Sequence, residues 1–252
     1  MRLKKVVLCC LSALSCNAQT DDLVSSLKSY PIPTNRDSIT SLVTFHKRCI
    51  VSIKEGKVYA EDDKLSKKES LLPFIVKQGG DISLRGKESV LKVDDGYLVG
   101  FNGGEWGGDL YWFSADGSAH YKISGNNIIQ FIKNGDSIYF IEGLAHLSLS
   151  EGSIKQVKKV NNKWLATTYA ILPTAPEVVV LDSNGNFIIV TDKSLLQIDN
   201  HGSIKILVEK GIWHYTIPTS MVVADNAVFI GMQGGVFKYN LITARQQFLK
   251  RQ

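Results

Sequence analysis

The chain has 252 residues, of which 44% are hydrophobic and 21% are charged, and its formal net charge at pH 7 is +5. Three of its basic residues lie in the first 18 positions, which contain no acid, so the remaining 26 basic residues face 24 acidic ones. Nucleic-acid binding requires a concentrated basic face, and this near-neutral balance argues against that class of partner. The chain after residue 18 is long enough to bury a substantial core in one domain.

Residues 1–18 have the composition of an export signal peptide. Basic residues precede an apolar run at positions 6–14, and small residues follow it. Cleavage after Ala18 would release a chain that begins at Gln19. Alternatively, Ala13-Leu14-Ser15-Cys16 resembles a bacterial lipoprotein box, in which the signal ends before Cys16 and an acylated Cys16 anchors the protein to a membrane surface.

The same segment predicts where the protein is located. Its apolar run is shorter than the roughly 20 residues that a membrane-spanning helix needs, and no later stretch approaches that length. We therefore expect no transmembrane span. The predicted location is the periplasm, or the cell envelope through a lipid anchor on Cys16.

Residues 19–37 are polar and contain Pro31 and Pro33, which predicts a leader or linker. Residues 38–252 follow as a single predicted domain. Its first predicted strands occupy positions 41–45, 49–53 and 57–60, and a charged loop follows at 62–69. Only Cys49 lies within this domain, so no disulfide within the chain is expected.

From residue 90 onward, four units repeat four short apolar runs separated by Gly, Asp and Asn turns. Their second runs contain Tyr97, Ile138, Ile188 and Val228, which are 41, 50 and 40 residues apart. In the second unit the runs are predicted at 128–132, 137–141, 145–149 and 154–157. Continuously apolar runs such as 138–141 and 187–190 are typical of strands that are buried on both faces.

Two further stretches recur at a distance of fifty residues. Asn134-Gly135 is matched by Asn184-Gly185, and Gly152-Ser153-Ile154-Lys155 is matched by Gly202-Ser203-Ile204-Lys205. A period of about 40 to 50 residues built from short strands is typical of β-propellers and related repeat arrays. The sequence therefore predicts an all-β protein, a β-propeller of about five four-stranded blades. Four blades or an open β-solenoid are the alternatives.

Three turn sequences carry a resemblance. Ala115-Asp116-Gly117-Ser118, Ser150-Glu151-Gly152-Ser153 and Asn200-His201-Gly202-Ser203 each follow an apolar run. Across residues 90–249 they resemble the outer-hairpin turns of β-propeller repeat proteins in general. The WD40 and kelch signatures are missing from the sequence, so no particular family is assigned and no ligand residues are transferred.

The segment Asn102-Gly103-Gly104-Glu105-Trp106-Gly107-Gly108-Asp109 interrupts the repeat with a long, glycine-rich loop. Glycines allow positive φ angles and close approach of the backbone to a ligand. Trp106 between the carboxylates of Glu105 and Asp109 would suit a sugar, a cationic group or a basic side chain of a partner. The alternative is that Trp106 packs against its own blade. We take Glu105, Trp106 and Asp109 as candidate binding residues.

A second aromatic cluster, Trp213-His214-Tyr215, is predicted in a connection between blades, as are Trp164 and Tyr169. Trp164 and Trp213 are 49 residues apart and are interpreted as one structural position that is used twice. His214 and Tyr215 do not repeat. They are therefore the better candidates for contact with a partner or ligand.

Patterns for catalysis and metal binding are missing from the sequence. The five histidines include no pair at the i, i+2 or i, i+4 spacing of a local metal site, and there is no nucleophile elbow or phosphate-binding loop. We therefore assign no catalytic residue, no metal and no cofactor. Glu142 and Asp192 remain a formal pair for acid–base chemistry of the glycosidase type.

These observations predict an exported, envelope-located, non-catalytic binding protein whose partner is another protein, as in an inhibitor or immunity-type module. The alternative is a small propeller hydrolase or lyase that acts on a carbohydrate or lactone. An enzyme would gather inward-facing carboxylates or histidines in one polar pocket. A binding protein would instead expose an aromatic patch.

Overall fold

The computed structural model describes residues 22–42, 47–63, 70–77, 79, 82 and 86–251. The predicted signal peptide and Cys16 lie outside these residues. Within them, the strands pair into five antiparallel sheets, which are the blades of an all-β propeller. This confirms the predicted fold class and favours five blades over the four-bladed alternative.

Blade 1 has three strands, and the other four blades each contain four consecutive strands. The N-terminal elements are β1 (Asp22–Leu23), a 3-10 helix (Val24–Ser26), β2 (Lys28–Tyr30) and α1 (Arg36–Leu42). Blade 1 adds β3 (Cys49–Lys54) and β4 (Lys57–Asp62). Blade 2 contains β5 (Lys87–Val93), β6 (Gly96–Asn102), a 3-10 helix (Gly104–Trp106), β7 (Leu110–Ser114) and β8 (His120–Ser124).

The remaining three blades follow in chain order. Blade 3 contains β9 (Ile128–Asn134), β10 (Ser137–His146), β11 (Leu149–Val160) and β12 (Lys163–Leu172). Blade 4 contains β13 (Pro176–Leu181), β14 (Phe187–Thr191), β15 (Leu195–Ile198) and β16 (Ile204–Val208). A 3-10 helix (Ile212–His214) leads to blade 5, with β17 (Pro218–Ala224), β18 (Ala227–Met232), β19 (Gly235–Asn240) and β20 (Gln246–Lys250).

The predicted repeat is confirmed at the second strand of blades 2 to 5. Tyr97, Ile138, Ile188 and Val228 are each the second residue of that strand. The matching Asn-Gly turns of blades 3 and 4 also lie side by side, because the Asn134 amide donates a hydrogen bond of 2.8 Å to the carbonyl of Gly185. Neighbouring blades thus stack with equivalent turns in contact.

Two of the three predicted outer-hairpin turns are confirmed. The Gly117 N–H donates to the carbonyl of Ser114 at 2.9 Å, and the Gly202 N–H donates to that of Asp199 at 3.0 Å. The third prediction, a turn at Ser150-Glu151-Gly152-Ser153, is wrong because these residues lie inside β11. The predicted strands 145–149 and 154–157 are therefore parts of a longer hairpin, and the two Gly-Ser-Ile-Lys stretches are not equivalent.

Packing between blades explains Gly152 in the middle of a strand. Gly143 of β10 pairs with Gly152 of β11, and both face Pro176 of blade 4. A Cβ on Gly152 would lie 2.4 Å from Cδ of Pro176, and one on Gly143 would lie 2.6 Å from it. These glycines therefore permit a close approach of two blades, and neither forms a turn.

The N-terminal residues differ from the predicted leader or linker. β2 pairs with β20 as a fifth strand of blade 5, and β1 pairs with β4 as the third strand of blade 1. Val24 between them is buried in the core shared by blades 1 and 5. The strand predicted at 41–45 is also wrong at residues 41 and 42, because these two residues end helix α1. Residues 43–45 lie outside the described residues.

Side-chain hydrogen bonds join the innermost strands of successive blades around the axis. The Ser89 hydroxyl donates to the carbonyl of Ile129 at 3.2 Å, and the Gln130 amide donates to that of Val179 at 3.0 Å. Each bond connects one blade to the next, from blade 2 through blade 3 to blade 4. Because the blades are fixed relative to one another, the loops at their ends are held in a defined arrangement.

Candidate functional site

Strand direction brings the predicted site residues to the same end of the propeller. In each four-stranded blade, the connection from second to third strand and the connection to the next blade emerge at one end, because antiparallel strands alternate in direction. We call this end the loop end. It carries residues 103–109, 125–127, 147–148, 173–175, 192–194 and 209–217.

The glycine-rich loop of blade 2 is an ordered turn. It contains a 3-10 helix, Gly104–Trp106. The first residue of this helix is fixed by a hydrogen bond of 2.9 Å that the Gly104 N–H donates to the Asn102 side chain. The Asn127 amide also donates to the Gly104 carbonyl, at 2.9 Å. Gly104 and Gly107 have φ angles of +61° and +84°, which glycine adopts without strain. The loop presents Trp106 with 71% of its surface exposed, in contrast to the packing alternative.

A long hairpin of blade 3 stands beside this loop. Glu105 contacts His146 near the end of β10, with 3.0 Å between Oε2 and Nε2. Leu147 at the tip is 95% exposed, and Leu149, which pairs with His146, is 45% exposed. The loop and the hairpin tip therefore form one surface.

Strand pairing extends this surface down one face of the sheet of blade 3. Cross-strand partners lie on the same face of a sheet, and so do residues two positions apart. Leu149, Glu151 and Ser153 therefore share a face with their partners His146, Leu144 and Glu142 in β10. Ile171 of β12 pairs with Ser153 and is 75% exposed on that face.

A cleft of about 440 Å³ runs between the loop of blade 2 and this face. Gly107, Asn127, Glu142, Glu151 and Ile171 are among the residues that line it. Asn127 Oδ1 is buried and has no hydrogen-bond partner among the described residues. We call the whole region the hairpin surface. Its apolar members are Trp106, Leu144, Leu147, Leu149 and Ile171, and its acidic members are Glu105, Glu142 and Glu151.

Asp109 has a different environment from Glu105 and Trp106. Its carboxylate accepts a hydrogen bond of 3.0 Å from the Tyr111 hydroxyl and forms an ion pair of 2.5 Å with Lys122. Its side chain is largely buried. The contacts of Asp109 are thus within blade 2, where they hold the base of the loop.

Substitutions in the loop should distinguish Asp109, which stabilises the fold, from Trp106, which is exposed. Asp109→Ala is expected to lower the free energy of unfolding by about 1.5–3 kcal/mol, because it removes the acceptor of a buried hydroxyl and a close ion pair. Trp106→Ala should change it by less than about 0.5 kcal/mol, because the ring is mostly exposed. Urea unfolding followed by circular dichroism measures both values. Equal losses for the two variants would contradict this division.

The formal acid–base pair is separated by the hairpin. Glu142 accepts a hydrogen bond of 2.6 Å from Ser153, whereas Asp192 accepts one of 2.9 Å from Ser150. Ser150 and Ser153 are three positions apart in β11 and point to opposite faces. The two carboxylates consequently lie on opposite sides of the hairpin and do not share one pocket.

Another carboxyl group, Glu177 near the start of β13, was not predicted from the sequence. Glu177 is exposed to solvent, but partial desolvation among the surrounding strands raises its pKa, the negative charge of Asp192 raises it further, and Lys87 of blade 2 opposes the shift. Asp192 Oδ1 is buried and has no hydrogen-bond partner among the described residues. Residue spacing gives no signal of this arrangement, because Glu177, Asp192 and Lys87 come from two blades.

His214 and Tyr215 lie at the loop end in the connection from blade 4 to blade 5, as predicted. Both are exposed, and their rings meet edge to face at 5.1 Å. Trp213 is buried beside them, and its indole N–H donates to the Thr191 carbonyl at 2.8 Å. They do not belong to the hairpin surface.

Trp164 and Tyr169 are not in a connection between blades. Both lie in β12, and the indole N–H of Trp164 donates to Asp95 at 3.1 Å, at the end of the propeller opposite the loop end. The interpretation of Trp164 and Trp213 as one repeated position is therefore wrong. Their spacing of 49 residues is misleading because the long hairpin of blade 3 shifts its later strands along the sequence.

The described part of the chain has neither a cluster of metal ligands nor a membrane-spanning helix. There, no three His, Cys, Asp or Glu side chains are grouped so that they could hold a metal ion. None of the helices described is long and apolar enough to cross a membrane.

The described residues thus define a five-bladed β-propeller with an apolar and acidic surface at its loop end. No protein-family model matches the chain, and no curated protein matches it. Among solved structures, a streptogramin B lyase is similar at 15% identity and a TM-score of 0.45, over 67% of this chain and 54% of that one. TolB from Acinetobacter baumannii is similar at 14% identity and a TM-score of 0.40, over 81% of this chain and 51% of that one.

An extracellular domain from B. thetaiotaomicron is similar at 12% identity and a TM-score of 0.44, over 65% of this chain and 23% of that one. The chain thus spans about half the length of the first two proteins and about a quarter of the third. These similarities concern the arrangement of strands. They identify no activity and transfer no residue role to this chain.

Proposed function

We propose that this protein is an exported, envelope-located, non-catalytic binding protein that recognises another protein through the hairpin surface. The observation that carries the proposal is the exposure of Trp106, Leu147 and Ile171 on the glycine-rich loop and on the adjoining strands of blade 3, which the contact between Glu105 and His146 brings together. Single exposed apolar residues are common, but a group of large ones around a cleft is typical of an interaction site. The composition of residues 1–18 supports export, and Cys16 would supply the lipid anchor if it is acylated.

The charges on the hairpin surface indicate the chemistry of the partner. Glu142 and Glu151 line the cleft, and Asn127 Oδ1 adds an acceptor without a hydrogen-bond partner among the described residues. Lysine or arginine side chains would complement these acceptors, and apolar side chains would cover Trp106 and Ile171. The proposed partner is therefore a protein with a basic and apolar segment. This protein would bind that segment as an inhibitor or immunity-type module.

The candidate residues have different parts in this proposal. Trp106 supplies the aromatic contact, since tryptophan is enriched among the residues that dominate binding energy. Glu105, paired with His146, contributes charge at the rim, and Asp109 positions the loop through Lys122 and Tyr111. His214 and Tyr215 belong to a separate site.

The test is a pull-down from an envelope fraction with the mature chain as bait, followed by measurement of affinity for the captured protein. Combining Trp106→Ala with Leu149→Ser should weaken binding at least about 30-fold, the loss expected for one dominant contact. Ile242→Ser is the matched control, because Ile242 is 74% exposed in a turn at the opposite end. Capture of the same protein with unchanged affinity by the double variant would refute this site.

One observation favours the alternative, a hydrolase acting on a carbohydrate or lactone. Glycosidases use a carboxyl group with a raised pKa near a second carboxylate for general acid catalysis, and the pKa of Glu177 is raised in part by the charge of Asp192. The test is hydrolysis of a panel of chromogenic glycosides and lactones. Activity that disappears in Glu177→Gln but persists in the Trp106→Ala, Leu149→Ser variant would support the enzyme over the binding protein.

A further inference from the structure

A second cleft at the loop end, separate from the hairpin surface, lies between helix α1 and the connection from blade 4 to blade 5. Its volume is about 360 Å³, within the range of small-ligand sites. One wall consists of Pro33, Thr34 and Ile39 from the N-terminal segment. The other contains His214 and Tyr215.

The charged side chains of the described residues that line this cleft are two lysines. Lys193 and Lys210 both line it, as does His214, and no acidic side chain of the described residues is among its lining residues. No ion pair joins either lysine to a carboxylate within the described residues. Both lysine side chains are exposed, and an anion bound in the cleft would be attracted to both of them.

The backbone that carries one lysine is fixed. The N–H of Lys193 donates to the Thr191 hydroxyl at 3.3 Å, and its carbonyl accepts a hydrogen bond of 2.7 Å from Gly211. The turn of blade 4 is thereby tied to the connection that carries Lys210. The two cations consequently approach the cleft from anchored segments, which limits the ordering cost of binding.

The rest of the lining is apolar or aromatic. Ile39 is buried in the core of blades 4 and 5, and Ile212 is buried beside the cleft. Tyr215 is 47% exposed and offers a ring face with a hydroxyl group at its edge. Such a lining favours a ligand with a flat apolar body attached to its charged group.

We infer that this cleft binds a small organic anion, with its acidic group between Lys193 and Lys210 and its apolar body against Tyr215 and Ile39. The ligand class is an aromatic or aliphatic carboxylate. Because the N-terminal segment forms one wall, such a ligand would also hold helix α1 against blades 4 and 5. This site rests on residues outside the hairpin surface, so its failure leaves the proposed protein-binding function untouched.

The test uses 2-naphthoate as the probe and its neutral analogue, 2-naphthamide, in isothermal titration with the mature chain. Naphthoate should bind at least about 10-fold more tightly than naphthamide, since only the carboxylate can pair with the lysines. Replacing both Lys193 and Lys210 by glutamine should remove this preference. Lys163→Gln, at the exposed start of β12 on the opposite end, is the matched control and should retain it.

A second readout identifies the apolar part of the site. Tyr215→Ala should weaken naphthoate binding more than acetate binding, because only naphthoate has a ring to cover Tyr215. Circular dichroism of every variant confirms that it is folded. Undetectable naphthoate binding, equal affinity for naphthoate and naphthamide, or unchanged naphthoate affinity in the double lysine variant would each overturn the inference.

Discussion

Replacing Asp95 with alanine is expected to lower the free energy of unfolding by about 3 kcal/mol, because several donors depend on this one carboxylate. Its Oδ1 accepts hydrogen bonds of 3.1 Å from the indole N–H groups of Trp112 and of Trp164. Its Oδ2 forms an ion pair of 2.7 Å with Lys159. Trp112 belongs to blade 2 and the other two partners to blade 3, so the substitution weakens the seam between two blades.

The effect of Asp95→Ala should depend on pH in a defined direction. Burial raises the pKa of Asp95, but the hydrogen bonds from Lys159, Trp164 and Trp112 outweigh burial and hold it below its usual value. A carboxyl group with a lowered pKa in the folded state contributes stability above its unfolded pKa, about 3.9, and loses that contribution as the pH falls through the folded pKa.

Urea unfolding of the native protein and of Asp95→Ala at neutral and acidic pH measures this dependence. The difference between them should be full at pH 7 and should shrink below about pH 4. Asp136→Ala serves as the control, because Asp136 is exposed in a turn at the same end of the propeller. A difference that stays constant from neutral to acidic pH would show that the charge of Asp95 has no role.

Gly211→Ala should be similarly destabilising, by about 3 kcal/mol, for a steric reason. The backbone of Gly211 is extended, with φ of −81° and ψ of 152°, so alanine is allowed there. A Cβ, however, would lie 2.1 Å from Cε2 and Cζ2 of Trp213. That indole is buried, packs edge to face on Phe237 at 5.2 Å and donates to the Thr191 carbonyl, so it cannot move without breaking these contacts.

A double-mutant cycle tests this explanation. Trp213→Leu alone removes packing and a hydrogen bond, but adding Gly211→Ala to it should cost much less than adding the alanine to the native protein. Gly125→Ala is the control, because the nearest atom to its Cβ among the described residues beyond its chain neighbours would be Asp109 Oδ1, at 3.6 Å. Additive losses from the two substitutions would show that Trp213 is not the obstacle.

The sequence predicted those parts of the fold that are specified locally. The second strands of blades 2 to 5 are runs of apolar residues after Asp, Asn and Gly turns, and both signals are short in range. Ser150-Glu151-Gly152-Ser153 has the composition of such a turn but forms part of β11. It pairs there with β10 and β12, and Pro176 of the next blade packs against Gly143 and Gly152, so its surroundings lie outside any local window.

The residues of the candidate site also fall into two groups, those that the local sequence predicts and those that only strand pairing brings to the site. Trp106 and Glu105 were predictable, because a glycine-rich loop that interrupts a repeat is visible in the sequence. His146, Leu149 and Ile171 join them only because β10 and β11 extend as a hairpin past the part of β10 that pairs with β9, and because β11 pairs with β12. Likewise, Lys193 and Lys210 line one cleft together with the N-terminal segment, an arrangement of residues distant in sequence that residue spacing does not reveal.

The strand β2 that completes blade 5 affects how the chain reaches its native state. The side chain of Gln247 donates to that of Ser29, a residue 218 positions earlier. Joining such distant segments has a large loop-closure entropy cost, and folding rates fall as contacting residues become more separated in sequence. We therefore expect ring closure to be the slow final step of folding, during which β20 has an unpaired edge that a second copy of the chain can occupy.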